Sequence, residues 1–253
     1  MADEILLEKR DGIAVLTLNR PHALNAADRA MVRALRQAIR DVEDDPKIGV
    51  LIVAGAGGKA FCVGVDLKER QNWSDEEAQA FRLGEMFPLF REFEEMLKPS
   101  IAVVNGHCLG GGFEIALTCD LIIASPQSKF GLPEVKWGLI PAAGGSRKLP
   151  RLIGMARAKE MILTGQGITA AQAEQWGLIN RVVAPELGLQ EAENLARLIL
   201  GNVRVAVGAA KRSMDQSMDL QRTTAFDLEA SNSCYAAKER KEAVGSFGKD
   251  KSA

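Results

Sequence analysis

Asn105-Gly106-His107-Cys108-Leu109-Gly110-Gly111-Gly112-Phe113-Glu114 is the stretch that decides the fold. Ile101-Ala102-Val103-Val104 precedes it with the pattern of a buried strand, and an apolar helical run follows it as far as Asp120. A second strand-like run, Asp120-Leu121-Ile122-Ile123-Ala124, and the loop Phe130-Gly131-Leu132-Pro133-Glu134 come next. The order is therefore strand, glycine turn, helix, strand, loop. Three consecutive glycines at a helix start let backbone N–H groups approach a ligand with no Cβ in the way, and the helix dipole adds positive potential there. Such a corner suits an oxyanion. Glu114 in the first helical turn and Glu134, twenty residues on, can converge over it. Two carboxyl groups flanking one donor corner read as acid and base chemistry beside an electrophilic carbonyl.

Outward from this stretch the same α/β order continues on both sides. Residues 4–10 and 13–18, parted by Asp11-Gly12, read as a hairpin. From Asp28 a helix presents Met31, Leu35, Ala38, Ile39 and Val42 on one face, and Arg29, Arg33, Arg36 and Arg40 on the other, where a solvated surface is expected. Val50-Leu51-Ile52-Val53-Ala54 suits a strand covered on both faces. The glycines that follow it lack the Gly-Lys-Ser/Thr ending of a phosphate loop, so residues 55–59 read as an ordinary strand exit. Ser74-Asp75-Glu76-Glu77 is a capping box for a helix running towards Leu97, with Pro88 as an interruption. Phe81, Met86, Phe87, Phe90 and Phe93 in that helix are expected in the core.

Further on, Trp137 to Pro141 forms a second apolar corner near Glu134. Helical periodicity returns over residues 155–163, Thr169 and Gln172 make another capping box, and Trp176-Gly177 closes that helix before a short strand over 178–183. Beyond Pro185 the pattern is helical, over 186–200, 203–218 and 220–238. The composition shift near residue 184 divides the chain into a β/α core over 1–184, holding the glycine corner, and a helical region over 185–253.

Composition excludes several functions. With 32 basic against 33 acidic residues, evenly mixed, the chain lacks the basic face of a nucleic-acid or anionic-membrane binder. Met1-Ala2-Asp3-Glu4 has no positive leader, and no apolar run reaches the ~18 residues that cross a bilayer, so the mature chain is expected to start here and to be cytoplasmic. Cysteines at 62, 108, 119 and 234 show no CxxC spacing and there are two histidines, so reduced thiols and no metal site are expected. His107 has no orienting acid in the pattern and reads as a packed or hydrogen-bonded structural residue. No Gly-x-Ser-x-Gly elbow is present.

Val104-Asn105-Gly106 with Gly110 to Glu114, then Pro133-Glu134, and upstream Cys62-Val63-Gly64-Val65-Asp66-Leu67, resemble the enoyl-CoA hydratase/isomerase (crotonase) superfamily, in the branch that keeps both glutamates. The resemblance runs from about Ile13 to the last helices. It implies a crotonase-like spiral of ββα turns with a helical C-terminal region for trimerisation, assembled as a trimer or a dimer of trimers. It also implies a hydratase that adds water to short or medium trans-2-enoyl-CoA in fatty-acid β-oxidation or related degradation. Glu114 and Glu134 would hold the water, Glu114 as base and Glu134 as donor of the C2 proton. The N–H groups of Val65 and Gly111 would bind the thioester oxygen. Ala23, Leu24 and Ala26 resemble the loop along the pantetheine, and Asp66 and Leu67 precede Lys68, which matches a lysine on the CoA side. No cofactor is implied, because coenzyme A is part of the substrate.

Three features depart from the family pattern. Val63 replaces a small alanine and Ala142 a glycine, both able to reshape the acyl pocket, and residues 247–251 match only part of the closing segment that covers the nucleotide. A carnitinyl-CoA dehydratase or another two-glutamate reaction is the alternative. An RNA-binding relative would need a clustered basic face, and a non-catalytic assembly protein would have no need of both acids.

Overall fold

The computed structural model describes residues 4–216, together with Asn232 and Gly245. Ile5–Arg10 (β1) and Ile13–Leu18 (β2) pair antiparallel across Asp11 and Gly12, whose φ angles of 50° and 80° are the left-handed values a tight hairpin turn needs. Arg29–Glu43 (α1) follows, capped by the Asp28 side chain. Three strand pairs come next: Val50–Gly55 (β3) with Ala60–Cys62 (β4), Ser100–Val104 (β5) with His107–Leu109 (β6), and Leu121–Ala124 (β7) with Lys129–Gly131 (β8). In each pair the first strand joins one sheet and the second joins another. Ile168–Thr169 (β9) and Arg181–Val182 (β10) complete sheets of order β4-β6-β8-β9 and β1-β2-β3-β5-β7-β10. From β2 to β10 the larger sheet is parallel. Helices fill the returns, so the chain climbs as the expected spiral of ββα turns.

The larger sheet is apolar on both faces because alternate residues point opposite ways along each strand. Leu16, Leu51, Val53, Ala102 and Val104 pack with α1 and the helix before β5. Val15, Ile52, Ile101, Val103 and Ile123 pack with Ala192 and Ala196 of a later helix on the other side.

The helix over residues 75–95 continues through its proline. Asp75–Phe81 (here α3, after the short α2, Leu67–Arg70) starts at the Ser74–Glu77 capping box, and Phe87–Glu95 (α4) ends it. Between them Arg82–Met86 forms a π turn in which the Phe87 N–H donates to the carbonyl of Arg82. Pro88 has no N–H, and its ring would collide with a carbonyl four residues back; a widened turn accommodates it without a break. Phe81, Phe90 and Phe93 are buried in the core as expected, and Met86 and Phe87 pack half-buried against it while also lining a cavity. The arginine face of α1 is not simply solvated. Arg33 pairs with Glu85 at 2.6 Å, and Arg36 and Arg40 pair with Glu92 at 2.6 and 3.3 Å, which ties α1 to the 75–95 helix.

Gly111–Thr118 (α5), Gly145–Ile153 (α6), Met155–Thr164 (α7), Ala170–Gln175 (α8), Gly188–Leu200 (α9) and Arg204–Gln216 (α10) complete the helices. The strand expected over 178–183 is reduced to β10. Apart from Asn232, the helix expected over 220–238 lies outside the described residues, as do the segment 247–251 and Cys234. None of the helices in the described residues is long and apolar enough to cross a membrane.

Candidate active site

Where β4 leads into α2 and β6 leads into α5, two backbone strips touch. Gly112 must be glycine, since a Cβ there would stand 2.2 Å from the Cys62 carbonyl oxygen. Gly64, with φ of 95°, lies so near the start of α5 that a Cβ on it would be 3.0 Å from the Gly111 nitrogen. Gly111 is the first residue of α5, so its N–H has no partner within the helix. Val65 sits in an isolated bridge with Ala27, made by Ala27 N–H donating to Gly64 O at 2.7 Å and Asp66 N–H donating to Ala27 O at 2.9 Å. That pattern leaves the Val65 N–H out. Among the described residues neither the Val65 nor the Gly111 amide has an acceptor, and both residues line one cavity of about 110 Å³.

Glu114 and Glu134 line the same cavity. Glu114, 4% exposed, lies in the first turn of α5, and its Oε1 accepts from the Gly145 N–H at 2.9 Å. A helix N-terminus and a direct N–H donor both favour the ionised carboxylate. Helix α6, which supplies that donor, is held to α4 by Arg147 and Lys148, 2.9 and 2.8 Å from Glu94. Glu134 opens a short 3₁₀ turn after β8, and its Oε1 lies 3.3 Å from where a Cβ on Gly110 would be, over the glycine corner. Both its carboxyl oxygens are closed off from solvent and neither has a hydrogen-bond partner among the described residues. Burial pushes the Glu134 carboxyl well above the ordinary carboxylate range, and the charge of Glu114 adds to the effect. Burial and the neighbouring charge thus favour the protonated form of Glu134, while its N–H donor and helix position favour the ionised form of Glu114.

The other anticipated residues divide. Leu67 lines the cavity, as do Val63 and Ala142. Ala23, Leu24, Ala26, Asp66 and Lys68 do not line it. The loop carrying the first three is stitched to the Val65 strip, with Leu24 and Asn25 in left-handed conformations and Arg20 reaching Asp66 at 3.0 Å and Asp28 at 3.1 Å. Asp66 also accepts from the Lys68 and Glu69 N–H groups at the start of α2, and the Lys68 side chain is exposed. His107 is exposed on β6, so the packed role expected for it is not seen; nothing in its neighbours' pattern signalled which face that strand would present. Cys62, Cys108 and Cys119 are free, buried thiols raised by burial.

Sequence reasoning missed Gly145, Arg70 and Arg82. Gly144-Gly145 repeats the cue of glycines at a helix start, and a Cβ at Gly145 would stand 2.7 Å from Pro141 Cβ and 3.2 Å from Glu114 Oε1. The two arginines gave no signal, because an arginine at helical spacing reads as surface.

The model of the family described as enoyl-CoA hydratase/isomerase matches residues 8–252. A crotonyl-CoA hydratase of Syntrophomonas wolfei is 40% identical, the match covering 97% of this chain and 95% of that one. A short-chain-enoyl-CoA hydratase of Clostridium acetobutylicum is 39% identical over 97% of this chain and 94% of its own length. Among solved structures, a carnitinyl-CoA hydratase from Mycobacterium avium superposes with a TM-score of 0.86 at 32% identity, covering 98% of this chain and 97% of that one.

Proposed function

Because the chain belongs to the enoyl-CoA hydratase/isomerase family, we propose that it is a hydro-lyase adding water across the C2=C3 bond of a trans-2-enoyl-CoA thioester. The observation that carries this reading is the closed-off carboxyl of Glu134 beside the hydrogen-bonded carboxylate of Glu114, in one cavity with two unengaged amides. The thioester oxygen docks on the N–H groups of Val65 and Gly111, which stabilise the negative charge that grows there as water attacks C3. Glu114 takes a proton from the water, the hydroxyl bonds to C3, and Glu134 gives its proton to C2. Opposite protonation states at the two acids are what that exchange requires.

A cavity of about 110 Å³ favours a short acyl group. Residues 23–26, Asp66 and Lys68 flank the Val65 strip outside the cavity, with Leu67 on its wall, which supports the pantetheine and CoA side there. The proposed setting is cytoplasmic fatty-acid β-oxidation or related degradation, and the proposed assembly is a trimer or a dimer of trimers. Exposed Leu198 on α9, Val205 on α10 and Val203 between them supply apolar surface for subunit contact. Dehydration of a carnitinyl thioester is the second reading, supported by the likeness to the Mycobacterium avium structure.

The test is turnover of crotonyl-CoA, followed by loss of the enoyl-thioester absorbance and gain of one water in mass. Wild type should hydrate it, and Glu114→Gln and Glu134→Gln should each lose about 10²-fold or more of kcat while keeping the fold. No turnover by wild type, or near-normal rates in either variant, would contradict the reading.

A further inference from the structure

Lys148 is a buried ammonium to which the reaction just described gives no task. It lies one turn into α6 from Gly145 and is 7% exposed. Its Nζ reaches Glu94 Oε1 on α4 at 2.8 Å and donates to Thr118 Oγ1, at the end of α5, at 3.0 Å. The Thr118 hydroxyl in turn donates at 2.9 Å to the main-chain carbonyl of Glu114, one turn back along α5. Burial pulls the Lys148 ammonium below the ordinary lysine range, and the charge of Glu94 opposes that pull. An apolar side chain of similar length would fill the space without this cost, so the hydrogen bonds are what the lysine adds.

Those bonds make the second of two rungs between α5 and α6. The first is the Gly145 N–H on Glu114 Oε1 at 2.9 Å, and residues three or four apart share a helix face, so 114 with 118 and 145 with 148 meet in register. The first rung is poorly held by its own surroundings, because α6 starts at Gly144, with φ of 128° and no side-chain cap. A hydrogen bond weakens steeply as its angle closes, so a small tilt of α6 takes the donor off Glu114. We propose that Lys148 is a positioning residue of the hydration reaction: by fixing α6 to Thr118 and Glu94 it keeps the Gly145 N–H on Glu114, and so keeps that carboxyl ready as the base. This rests on the hydratase reading and adds a residue to it. Glu134 of the 3₁₀ turn, Arg70 of α2 and Arg82 of the π turn line the cavity with Glu114 and stay in place in the test below. Around Lys148 the further charges are Arg147, also on Glu94, and Asp120, Arg151, Lys211 and Asp215 about a second cavity of about 310 Å³.

The test is the pH profile of kcat/KM on crotonyl-CoA, which reports the free enzyme, in Lys148→Met, Thr118→Val and Thr118→Ser. A carboxyl that loses a donor to its ionised form holds its proton to higher pH. In Lys148→Met and in Thr118→Val the acid limb should therefore move up by about one pH unit, a loss of about tenfold in rate on that limb. Thr118→Ser keeps the hydroxyl and should stay within a factor of about two of wild type. Thr118→Val leaves the Lys148 charge and its Glu94 partner in place; with both variants folded, a shift in Lys148→Met alone is an effect of charge, and overturns the inference. Lower melting temperatures with an unmoved acid limb in both also overturn it, making Lys148 a packing residue and leaving the hydratase reading intact. If Lys148→Met does not fold, as judged by circular dichroism, Thr118→Val against Thr118→Ser carries the test. No hydration by wild type at any pH defeats that reading and the inference with it.

Discussion

Glu134 shows how a residue's surroundings decide its chemistry. Its carboxyl is shut away from water beside the charge of Glu114, so the folded chain holds a proton that an unfolded chain releases above the ordinary value of 4.5. The sign of the stability effect follows from that difference. As pH rises from 4.5 through the raised value, the unfolded state sheds its proton first and the wild type loses stability. Glutamine cannot ionise, so Glu134→Gln should melt increasingly above wild type as pH climbs through that window. Thermal melts at stepped pH check this, and a difference that stays constant with pH would contradict it. Hydration should fall on the same alkaline limb, because the acid that supplies C2 is then spent.

At the scale of elements, the site depends on two backbone strips meeting at glycines. Gly64→Ala adds a Cβ 3.0 Å from the Gly111 nitrogen at a φ of 95°, forcing apart the amides of Val65 and Gly111 without deleting either donor. The expected result is a chain that still folds but loses about 10²-fold or more of kcat, as when one oxyanion donor is removed; steady-state kinetics on crotonyl-CoA measures it. A rate within a factor of about two of wild type would remove this corner from the mechanism. Much of this arrangement was legible in the chain itself. Gly110 to Gly112 signalled the corner, the capping boxes at Ser74 and Thr169 began helices where they stand, and the run from Val50 foretold a strand covered on both faces. What escaped was set by contacts distant in sequence. The Gly145 donor to Glu114 and the ion pairs of the α1 arginines arise only once α6 and α4 are in place. The inward turn of Arg82 depends on how the helix absorbs Pro88.

For the whole molecule, the spiral delivers each chemical group from a different turn: Val65 after β4, Gly111 and Glu114 after β6, Glu134 after β8. Helix α9 reaches the second face of the larger sheet through Ala192 and Ala196, leaving Leu198 exposed. If that side meets another subunit, replacing Leu198 and Val205 together by lysine should yield a smaller species in sedimentation velocity, and an unchanged assembly would place the contact elsewhere. The account as a whole stands on two carboxyl groups in opposite states of protonation above two amides. Infrared difference spectroscopy of wild type against Glu134→Gln at neutral pH reads that directly. A carbonyl stretch of an un-ionised carboxylic acid, present in wild type and missing in the variant, is the predicted result; carboxylate bands alone in the difference would contradict it.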